Sequence, residues 1–301
     1  PFIVPGLVRR AVRSLDLDPV LLGFYHADVV RTFAEPYVPH RVPAPIRVLA
    51  RMAARALVRR VYRRLDCTVA ASASVADELR GLGVPSVRHV SLGVDLEVFH
   101  LFPHRDPGAR AELGLPTGDA PIGLFVGRFC AEKRLDVLLD GHGRLDPSDR
   151  PHLVFVGDGP LADRLAEVAA ARADVTVLPY VTDREALARL YNAADFYLAV
   201  GPGETFGLSI AEGIACGLPV VAVDRGAAPD RVAGADIAEL YVHGEGASAA
   251  DALRRMGERL SVADRDALAA AARSHAEREF DWRGTFAEMI AVYRELGAVR
   301  E

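Results

Sequence analysis

Short apolar runs recur along this chain of 301 residues, and segments with helical periodicity separate most of them. Runs of four or five apolar residues suit strands that are buried on both faces of a parallel sheet, because helices cover both faces there. The runs cover residues 20–24, 68–71, 122–126, 153–156, 175–178, 196–200 and 220–223. Helical patterns occupy residues 46–65, 134–145, 161–172 and 184–193. This alternation predicts an α/β fold with doubly wound parallel sheets.

The regular pattern lapses over residues 91–118, which contain several proline and glycine residues. Segments of this composition commonly join domains, so we predict a domain boundary there. An amphipathic helix is predicted at the end of the chain. The predicted parts are a partial N-terminal domain over 1–96, a linker over 97–118, a second domain over 119–278, and a C-terminal helix over 279–301 that packs back on the first domain.

Composition argues against several classes of protein. The net charge of −5 gives no general case for nucleic-acid binding. No apolar run approaches the ~20 residues that a membrane-spanning helix needs. Cys67, Cys130 and Cys216 lack the spacing of a metal site or a disulfide framework, which favours a reducing, cytoplasmic setting. The sequence begins at Pro1 rather than at a methionine, so we expect it to be part of a longer chain.

The stretch 201–221 carries the clearest chemical pattern. It combines a glycine-rich loop, a short helix that ends at Gly217, and an apolar strand after Pro219. Its only charged side chains are those of Glu204 in the loop and Glu212 in the helix. Exposed N–H groups at a helix N-terminus favour an anion such as a diphosphate. Carboxylates nearby can accept hydrogen bonds from hydroxyl groups, so this pattern suits a nucleotide sugar.

The segment 127–133, Gly-Arg-Phe-Cys-Ala-Glu-Lys, directly follows the strand predicted at 122–126. In parallel α/β sheets, ligands bind beyond the carboxyl ends of the strands. Lys133 is the only lysine in the chain, and it lies five residues after Arg128. An ammonium group acts on a diphosphate as a point charge, whereas a guanidinium group acts as a planar fork. The alternative is a surface loop with incidental charges.

A third segment, Gly157-Asp158-Gly159-Pro160, also follows a predicted strand, and Pro160 suits the first turn of the next helix. It lacks the third glycine of the dinucleotide-binding fingerprint, and the strand at 175–178 carries no terminal acid for a ribose. The segment therefore gives little support to a nicotinamide-dependent oxidoreductase. It favours a tight turn that brings the backbone close to a base or a ribose.

Together these segments resemble the retaining family 4 glycosyltransferases, or glycosyl transferases group 1, which have the GT-B fold. The resemblance rests on Gly-Arg-x3-Glu-Lys at 127–133, Gly-Asp-Gly-Pro at 157–160, and Glu-x7-Glu at 204–212 followed by Cys-Gly-Leu-Pro-Val-Val. Ser-Leu-Gly-Val-Asp at 91–95, with Phe99, is similar to the family's approach to the linker. The resemblance implies two Rossmann-like domains with parallel sheets, an acceptor-side one that is incomplete here and a donor-side one.

The resemblance also implies roles for individual residues. Arg128 and Lys133 would neutralise the donor diphosphate and stabilise the leaving nucleotide. Glu212 would accept hydrogen bonds from the ribose hydroxyls, and Glu204 would contact the hydroxyls of the transferred sugar. The other donor-binding residues would be Gly127, Gly157, Asp158, Gly159, Tyr180, Val181, Thr205, Phe206, Gly207 and Leu208.

The reaction that the resemblance implies is hexosyl transfer, with mannosyl favoured, from a nucleotide sugar to a hydroxyl of a lipid, glycan or small molecule. The anomeric configuration would be retained, and the diphosphate would take the proton of the incoming hydroxyl. No metal and no other cofactor would be needed. The residues themselves leave GDP-mannose and a UDP-sugar open as the donor.

In the first domain, His26 and Asp28 are weaker candidates for site residues. His26 follows a predicted strand and resembles the family's histidine that faces the transferred sugar or the acceptor; a histidine hydrogen-bonded within a loop is the alternative. Asp28 suits the same site or a helix N-cap.

The arginine-rich helix from Arg47 to Arg64 contains no acidic residue and could attract an anionic lipid surface on the inner face of the membrane. A solvated helix face is the alternative there.

Two alternatives to glycosyl transfer stay open. One is a protein that binds a nucleotide sugar without transferring it, and the other is a sugar-phosphate synthase on related architecture. The first strand of the acceptor-side domain and its glycine-rich loop have no counterpart before Pro1. We therefore expect weak or no transfer by residues 1–301 alone.

Overall fold

The computed structural model describes residues 3–16, 19–26, 42–102, 108–262 and 265–297. In these residues the strands are β1 Leu22–Tyr25, β2 Cys67–Ala70, β3 Val87–His89, β4 Ile122–Val126, β5 His152–Val156, β6 Val175–Leu178, β7 Phe196–Ala199, β8 Val220–Val223 and β9 Ala238–Tyr241. The helices are α1 Ile3–Ser14, α2 Ala44–Tyr62, α3 Ala73–Gly81, α4 Ala109–Glu112, α5 Leu135–Gly143, α6 Ala162–Ala171, α7 Arg184–Ala193, α8 Leu208–Ala215, α9 Ala228–Val232, α10 Gly246–Val262, α11 Arg265–Glu279 and α12 Trp282–Glu295. The chain forms two compact units, unit 1 over Pro1–Leu92 with Arg283–Glu301, and unit 2 over Gly93–Trp282.

Unit 1 is built around a parallel sheet whose described strands are ordered β1-β2-β3. The central strand β2 is buried along its whole length, and its alternate side chains belong to different clusters. Ala70 packs with Val58 of α2 and other residues, whereas Val69 packs with Met289 of α12. Because successive residues of a strand point to opposite faces, helices cover both faces of this sheet.

Unit 2 contains a larger parallel sheet, with the described strands in the order β6-β5-β4-β7-β8-β9. Strands β4, β5, β7 and β8 are almost entirely buried, as their unbroken apolar sequences require. The chain first adds strands on one side of β4 and then returns to add β7 to β9 on the other side. This is the doubly wound arrangement, so the predicted α/β fold class is confirmed.

The sequence patterns missed two strands, β3 and β9. Among the described strands both lie at the edge of a sheet, and β9 includes Glu239, whose carboxylate binds Arg255 and Arg259. After residue 223 the described chain is mostly helical, and β9 is the strand that interrupts the helices there. Edge strands are covered less completely than central strands, so they need no continuous apolar run and leave a weaker signal.

Candidate functional site

The sheet of unit 2 has a switch point between β4 and β7. The loops that follow these two strands run to opposite sides, because the chain passes from β4 to β5 in one direction and from β7 to β8 in the other. Such divergence opens a crevice beyond the carboxyl ends of the two strands, where α/β proteins bind ligands. The predicted residues of segments 127–133 and 201–208 follow these two strands.

The loops after β4 and β5 are in direct backbone contact. The N–H of Phe129 donates a hydrogen bond to the carbonyl oxygen of Asp158 at 2.8 Å. A Cβ atom on Gly157 would lie 2.0 Å from the carbonyl oxygen of Gly127, and one on Gly159 would lie 2.5 Å from that of Phe129. Both glycines also have positive φ angles, +150° and +151°. The Gly-Asp-Gly turn is thus needed to bring the two loops together.

A cavity of about 470 Å³ lies at the ends of β4, β5 and β6. Of the predicted donor residues, it brings together Gly127, Arg128, Asp158, Gly159, Tyr180 and Val181. Val126, Val156 and Leu187 complete its lining and were missed by sequence reasoning, although two of them are the last residues of predicted strands. The side chain of Tyr180 is 69% exposed, so its ring is accessible for stacking. The cavity has the size of a small-molecule site.

Arg128 has an exposed side chain in the lining of this cavity. Its guanidinium group makes no hydrogen bond or ion pair with the residues that the structure describes. A planar cation without a protein partner is available to bind an anion such as a phosphate.

Lys133 and Glu204 connect the loops that follow β4 and β7. The Nζ atom of Lys133 donates a hydrogen bond to Oε1 of Glu204, and both side chains are largely buried. Burial acts to lower the pKa of Lys133, but the carboxylates of Glu204 and Glu132 outweigh it, so this pKa lies above its ordinary value. The ammonium group is therefore charged at neutral pH. The structure thus joins two residues to which the family resemblance gives separate roles.

The N-terminus of α8 opens toward the carboxyl end of the sheet through Gly207. This residue adopts a left-handed conformation with φ 79° and ψ 59°, and no side chain caps the helix. Its carbonyl oxygen accepts hydrogen bonds from the N–H groups of Ile210 and Ala211. In the described residues, the N–H groups of Leu208 and Ser209 have no acceptor, as is usual in the first turn of a helix. Helix α8 spans eight residues and carries no acid in its first turn, so its N-terminus is of the kind that can bind an anion.

Glu212 lies inside α8 and is held by a buried tyrosine. The hydroxyl oxygen of Tyr191 lies 3.1 Å from Oε2 of Glu212 and 3.2 Å from the carbonyl oxygen of Ser209, and its single proton is available to either acceptor. Burial raises the pKa of Glu212 to about 7, although the hydrogen bond from Tyr191 and the charge of Arg184 act in the opposite direction. A carboxyl group with this pKa can both accept and donate hydrogen bonds near neutral pH.

A second buried tyrosine, Tyr197 of β7, ties α8 to the end of β4. Its hydroxyl lies 2.8 Å from Oγ of Ser209 and 3.2 Å from the carbonyl oxygen of Val126. Sequence reasoning missed this network, because a tyrosine within an apolar strand indicates only burial. The network fixes the first turn of α8 relative to the cavity.

The remaining predicted residues lie elsewhere or outside the described ranges. Thr205 and Phe206 lie in the loop before α8, with Phe206 buried. His26 belongs to unit 1, where it is exposed directly after β1, and its ring stacks on Phe24 with centroids 5.2 Å apart. Asp28 lies outside the described residues. Of the residues described, no group of three or more His, Cys, Asp and Glu side chains is placed to hold a metal ion.

The structure resembles solved glycosyltransferases over nearly its whole length. A sucrose-phosphate synthase from Thermosynechococcus elongatus aligns with a TM-score of 0.76 and 25% identity, covering 97% of this chain and 71% of that one. Anabaena HepE, solved in complex with UDP-glucose, aligns with a TM-score of 0.73 and 18% identity, covering 98% of this chain and 77% of that one. The fold is that of the GT-B glycosyltransferases.

Two family models match consecutive parts of the chain. Residues 2–98 match Glycosyltransferase Family 4, and residues 120–259 match Glycosyl transferases group 1. The chain therefore belongs to the family 4 glycosyltransferases, as the sequence motifs predict.

Curated relatives include a D-inositol 3-phosphate glycosyltransferase from Saccharomonospora viridis, 37% identical over 225 residues that make up 71% of this chain and 51% of the relative. A GDP-mannose-dependent alpha-mannosyltransferase from Mycobacterium tuberculosis is 33% identical over 251 residues, 77% of this chain and 62% of the relative. The chain thus spans about half to three fifths of the length of these relatives.

Proposed function

We propose that this protein transfers a hexosyl group, with mannosyl favoured, from a nucleotide diphosphate sugar to a hydroxyl group. The observation that carries the proposal is the arrangement at the switch point of unit 2. There Lys133 and Glu204 pair between the two diverging loops, and the guanidinium of Arg128, which binds none of the described residues, lines the cavity. These groups match the charges and hydroxyls of a nucleotide sugar.

In this proposal each group binds a different part of the donor. Arg128 and Lys133 hold the diphosphate, together with the N–H groups at the N-terminus of α8. Glu212 accepts hydrogen bonds from the ribose, and Glu204 from the transferred sugar. Tyr180 and Val181 form the wall against which the base lies. The cavity of about 470 Å³ has room for a nucleoside.

The proposed reaction needs no protein base. The acceptor oxygen bonds to the anomeric carbon while the bond from that carbon to the phosphate oxygen breaks. The acceptor proton passes to an oxygen of the leaving diphosphate, on the same face of the sugar, so the configuration is retained. Lys133 and Arg128 stabilise the negative charge that develops on the leaving group. We propose that neither a metal nor another cofactor takes part.

The names of the relatives guide the choice of donor. GDP-mannose-dependent mannosyltransferases match with 30% to 35% identity, which favours GDP-mannose. HepE holds UDP-glucose in its crystal structure, so a UDP-sugar is the second candidate. Isothermal titration with GDP, GDP-mannose, UDP, UDP-glucose and NAD separates the two and tests the nicotinamide alternative. We expect GDP and GDP-mannose to bind and NAD not to bind.

Assays of donor hydrolysis and of transfer distinguish a glycosyltransferase from a protein that only binds the nucleotide sugar. Incubation with GDP-mannose should release GDP slowly in water and faster when a hydroxyl acceptor is supplied, and chelation of metal ions should not change either rate. NMR of the product should show the same anomeric configuration as in the donor. Because weak or no transfer is expected from residues 1–301 alone, the decisive assay uses the full-length protein. There, tight binding with neither hydrolysis nor transfer would establish the non-catalytic alternative.

We also propose that α2 lies against an anionic membrane, where the acceptor is a lipid-linked hydroxyl on the cytoplasmic side. In the described residues no helix is long and apolar enough to cross a bilayer. Helix α2 has Val58 as its buried residue, whereas its apolar side chains Leu49 and Met52 are 65% and 61% exposed. Arginines flank them, and the helix contains no acidic residue. Exposed apolar groups with surrounding arginines suit an interfacial helix.

A further inference from the structure

The loop before α8 is supported by α9 and the turn that precedes it. The N–H of Ala227 donates a hydrogen bond to the carbonyl oxygen of Glu204 at 2.9 Å. Gly226 lies so close to this loop that a Cβ atom on it would be 2.6 Å from the carbonyl oxygen of Pro202. The backbone at Glu204 is therefore held on the side of α9, independently of its ion pair with Lys133.

A buried arginine of α9 continues this support. Arg231 is 3% exposed, and its guanidinium carbon lies 4.5 Å from the centre of the Phe206 ring and 5.4 Å from that of Phe280. Burial lowers the pKa of Arg231 to about 10, against the charges of Asp230 and Glu279, so the group is a cation at neutral pH. Phe206 is the residue immediately before Gly207, the N-cap residue of α8.

The partners of Arg231 are themselves fixed. The Phe280 ring packs edge-on against Phe206, with centroids 6.3 Å apart, and against His275 at 5.6 Å. A ring nitrogen of His275 lies 2.8 Å from the carbonyl oxygen of Arg231. The carbonyl oxygen of Phe280 accepts a hydrogen bond from the N–H of Val94. The guanidinium group of Arg231 therefore packs against aromatic rings that other contacts hold in place. One of these rings, Phe206, belongs to the loop before α8.

We propose that Arg231 is a positioning residue for residues 204–208, the loop that leads into α8. It acts through Phe206 to hold residues 204–208 so that the Glu204 carboxylate and the first N–H groups of α8 face the diphosphate and sugar. Arg231 touches no donor atom in this arrangement, and the wall of the base cavity does not depend on it. The inference rests on the proposed function for its effect on nucleotides, but its effect on the loop can be measured without any nucleotide.

Amide hydrogen exchange tests the loop directly. In Arg231→Met, which keeps the stem and removes the planar cation, exchange over residues 204–209 should become about tenfold faster while strand β4 stays unchanged. Arg231→Lys should increase the exchange rate by an intermediate amount. This variant replaces Arg231→Met in the test if the Met variant does not fold. Phe206→Leu should speed exchange in the same residues, and adding Arg231→Met to it should have little further effect. Unchanged exchange over 204–209 in both Arg231 variants would overturn the proposal.

Nucleotide affinities separate positioning of the loop from general damage. Arg231→Met should weaken GDP binding by about tenfold and GMP binding by less than about twofold, because GMP makes fewer contacts with the loop. Arg259→Met is the control, since Arg259 is a partly buried arginine of unit 2 that binds Glu239 and the carbonyl oxygen of Asp236 rather than the loop before α8. It should change neither affinity.

The outcomes distinguish the two proposals. Equal losses of GMP and GDP affinity in Arg231→Met would overturn the positioning role while leaving nucleotide binding intact. If the wild type binds neither GDP, GMP, UDP nor UMP, the proposed function fails, and hydrogen exchange alone then decides whether Arg231 holds the loop.

Discussion

The ammonium group of Lys133 binds the carboxylate of Glu204 and so links the two loops that diverge at the switch point of the unit 2 sheet. The only lysine of the chain is thereby held as a cation at the place where a diphosphate is proposed to bind. A donor phosphate would share this cation with Glu204. The two residues therefore should differ in what their loss does to nucleotide binding.

Replacement of Lys133 by Met should weaken GDP binding about 10- to 100-fold, because a charge-assisted hydrogen bond is worth about 1.5–3 kcal/mol. Glu204→Gln should leave GDP affinity within about threefold, since the cation stays, and should mainly impair recognition and transfer of the sugar. Calorimetric titration with GDP and GDP-mannose measures both effects.

The neighbouring Arg134→Met serves as the control for Lys133→Met. Arg134 pairs with the exposed Asp136 rather than with the loop after β7, so its loss should not change GDP affinity. Glu212→Gln should weaken GDP binding through the ribose. Equal losses of GDP affinity in Glu204→Gln and Glu212→Gln would contradict the division of roles between the two carboxylates.

The raised pKa of Glu212 should make stability depend on pH. Its ordinary value is 4.5 and burial raises it to about 7, so between these values the folded chain binds more protons than the unfolded chain. The stabilising contribution of the protonated group is complete below about pH 4.5 and is lost as the pH rises through 7. Above pH 7 the ionised group costs about 3 kcal/mol relative to a neutral one, since a difference of one pKa unit corresponds to about 1.4 kcal/mol.

Glu212→Gln removes this titration while keeping the shape of the side chain. The variant should match the wild type in unfolding free energy near pH 5 and exceed it near pH 8, as measured by urea unfolding at both values. Glu258→Gln, an exposed carboxylate on α10, should follow the wild type at both pH values. A stability difference between Glu212→Gln and wild type that does not change with pH would show that Glu212 is ionised throughout.

Most of the unit 2 sheet could be predicted from the sequence because its strands are buried on both faces. Strands β4, β6 and β8 have the bounds that the apolar runs indicate. The glycines at 127, 157 and 159 mark loops whose backbone contact requires them, so these loops could be predicted as well. Strands β3 and β9 could not, since Arg88 and Glu239 interrupt their apolar sequences.

The contacts between the site residues could not be predicted from the sequence. Lys133 and Glu204 are 71 residues apart, and nothing in either motif indicates that they pair with each other. Arg231 and Phe206 belong to segments that show no common pattern, and the cation–π contact between them depends on the packing of α9. Sequence motifs indicate which groups are present, whereas partners distant in the chain are set by tertiary packing.

Gly159 should be intolerant of a side chain. Its φ of +151° disfavours other residues, and a Cβ atom would lie 2.5 Å from the carbonyl oxygen of Phe129. Gly159→Ala should lower the unfolding free energy by about 3 kcal/mol or more, because both loops would have to separate. Gly257→Ala, on α10 with open space around it, should instead stabilise by about 0.5–1 kcal/mol. Thermal unfolding of the two variants compares them, and equal melting temperatures would contradict the close approach of the loops.

The exposed apolar side chains of α2 should determine membrane binding. Ile46, Leu49 and Met52 follow one another at intervals of three residues, so they lie on one side of the helix, and all are more than half exposed.

If helix α2 enters the membrane interface, wild-type protein should float with vesicles of phosphatidylglycerol and phosphatidylcholine but not with vesicles of phosphatidylcholine alone. The double variant Leu49→Ser, Met52→Ser should lose most of this binding although every arginine is retained. Leu240→Ser, at an exposed apolar position of unit 2, should bind like the wild type. Equal flotation of the wild type with both kinds of vesicle, or of the double variant with anionic vesicles, would refute an interfacial role for α2.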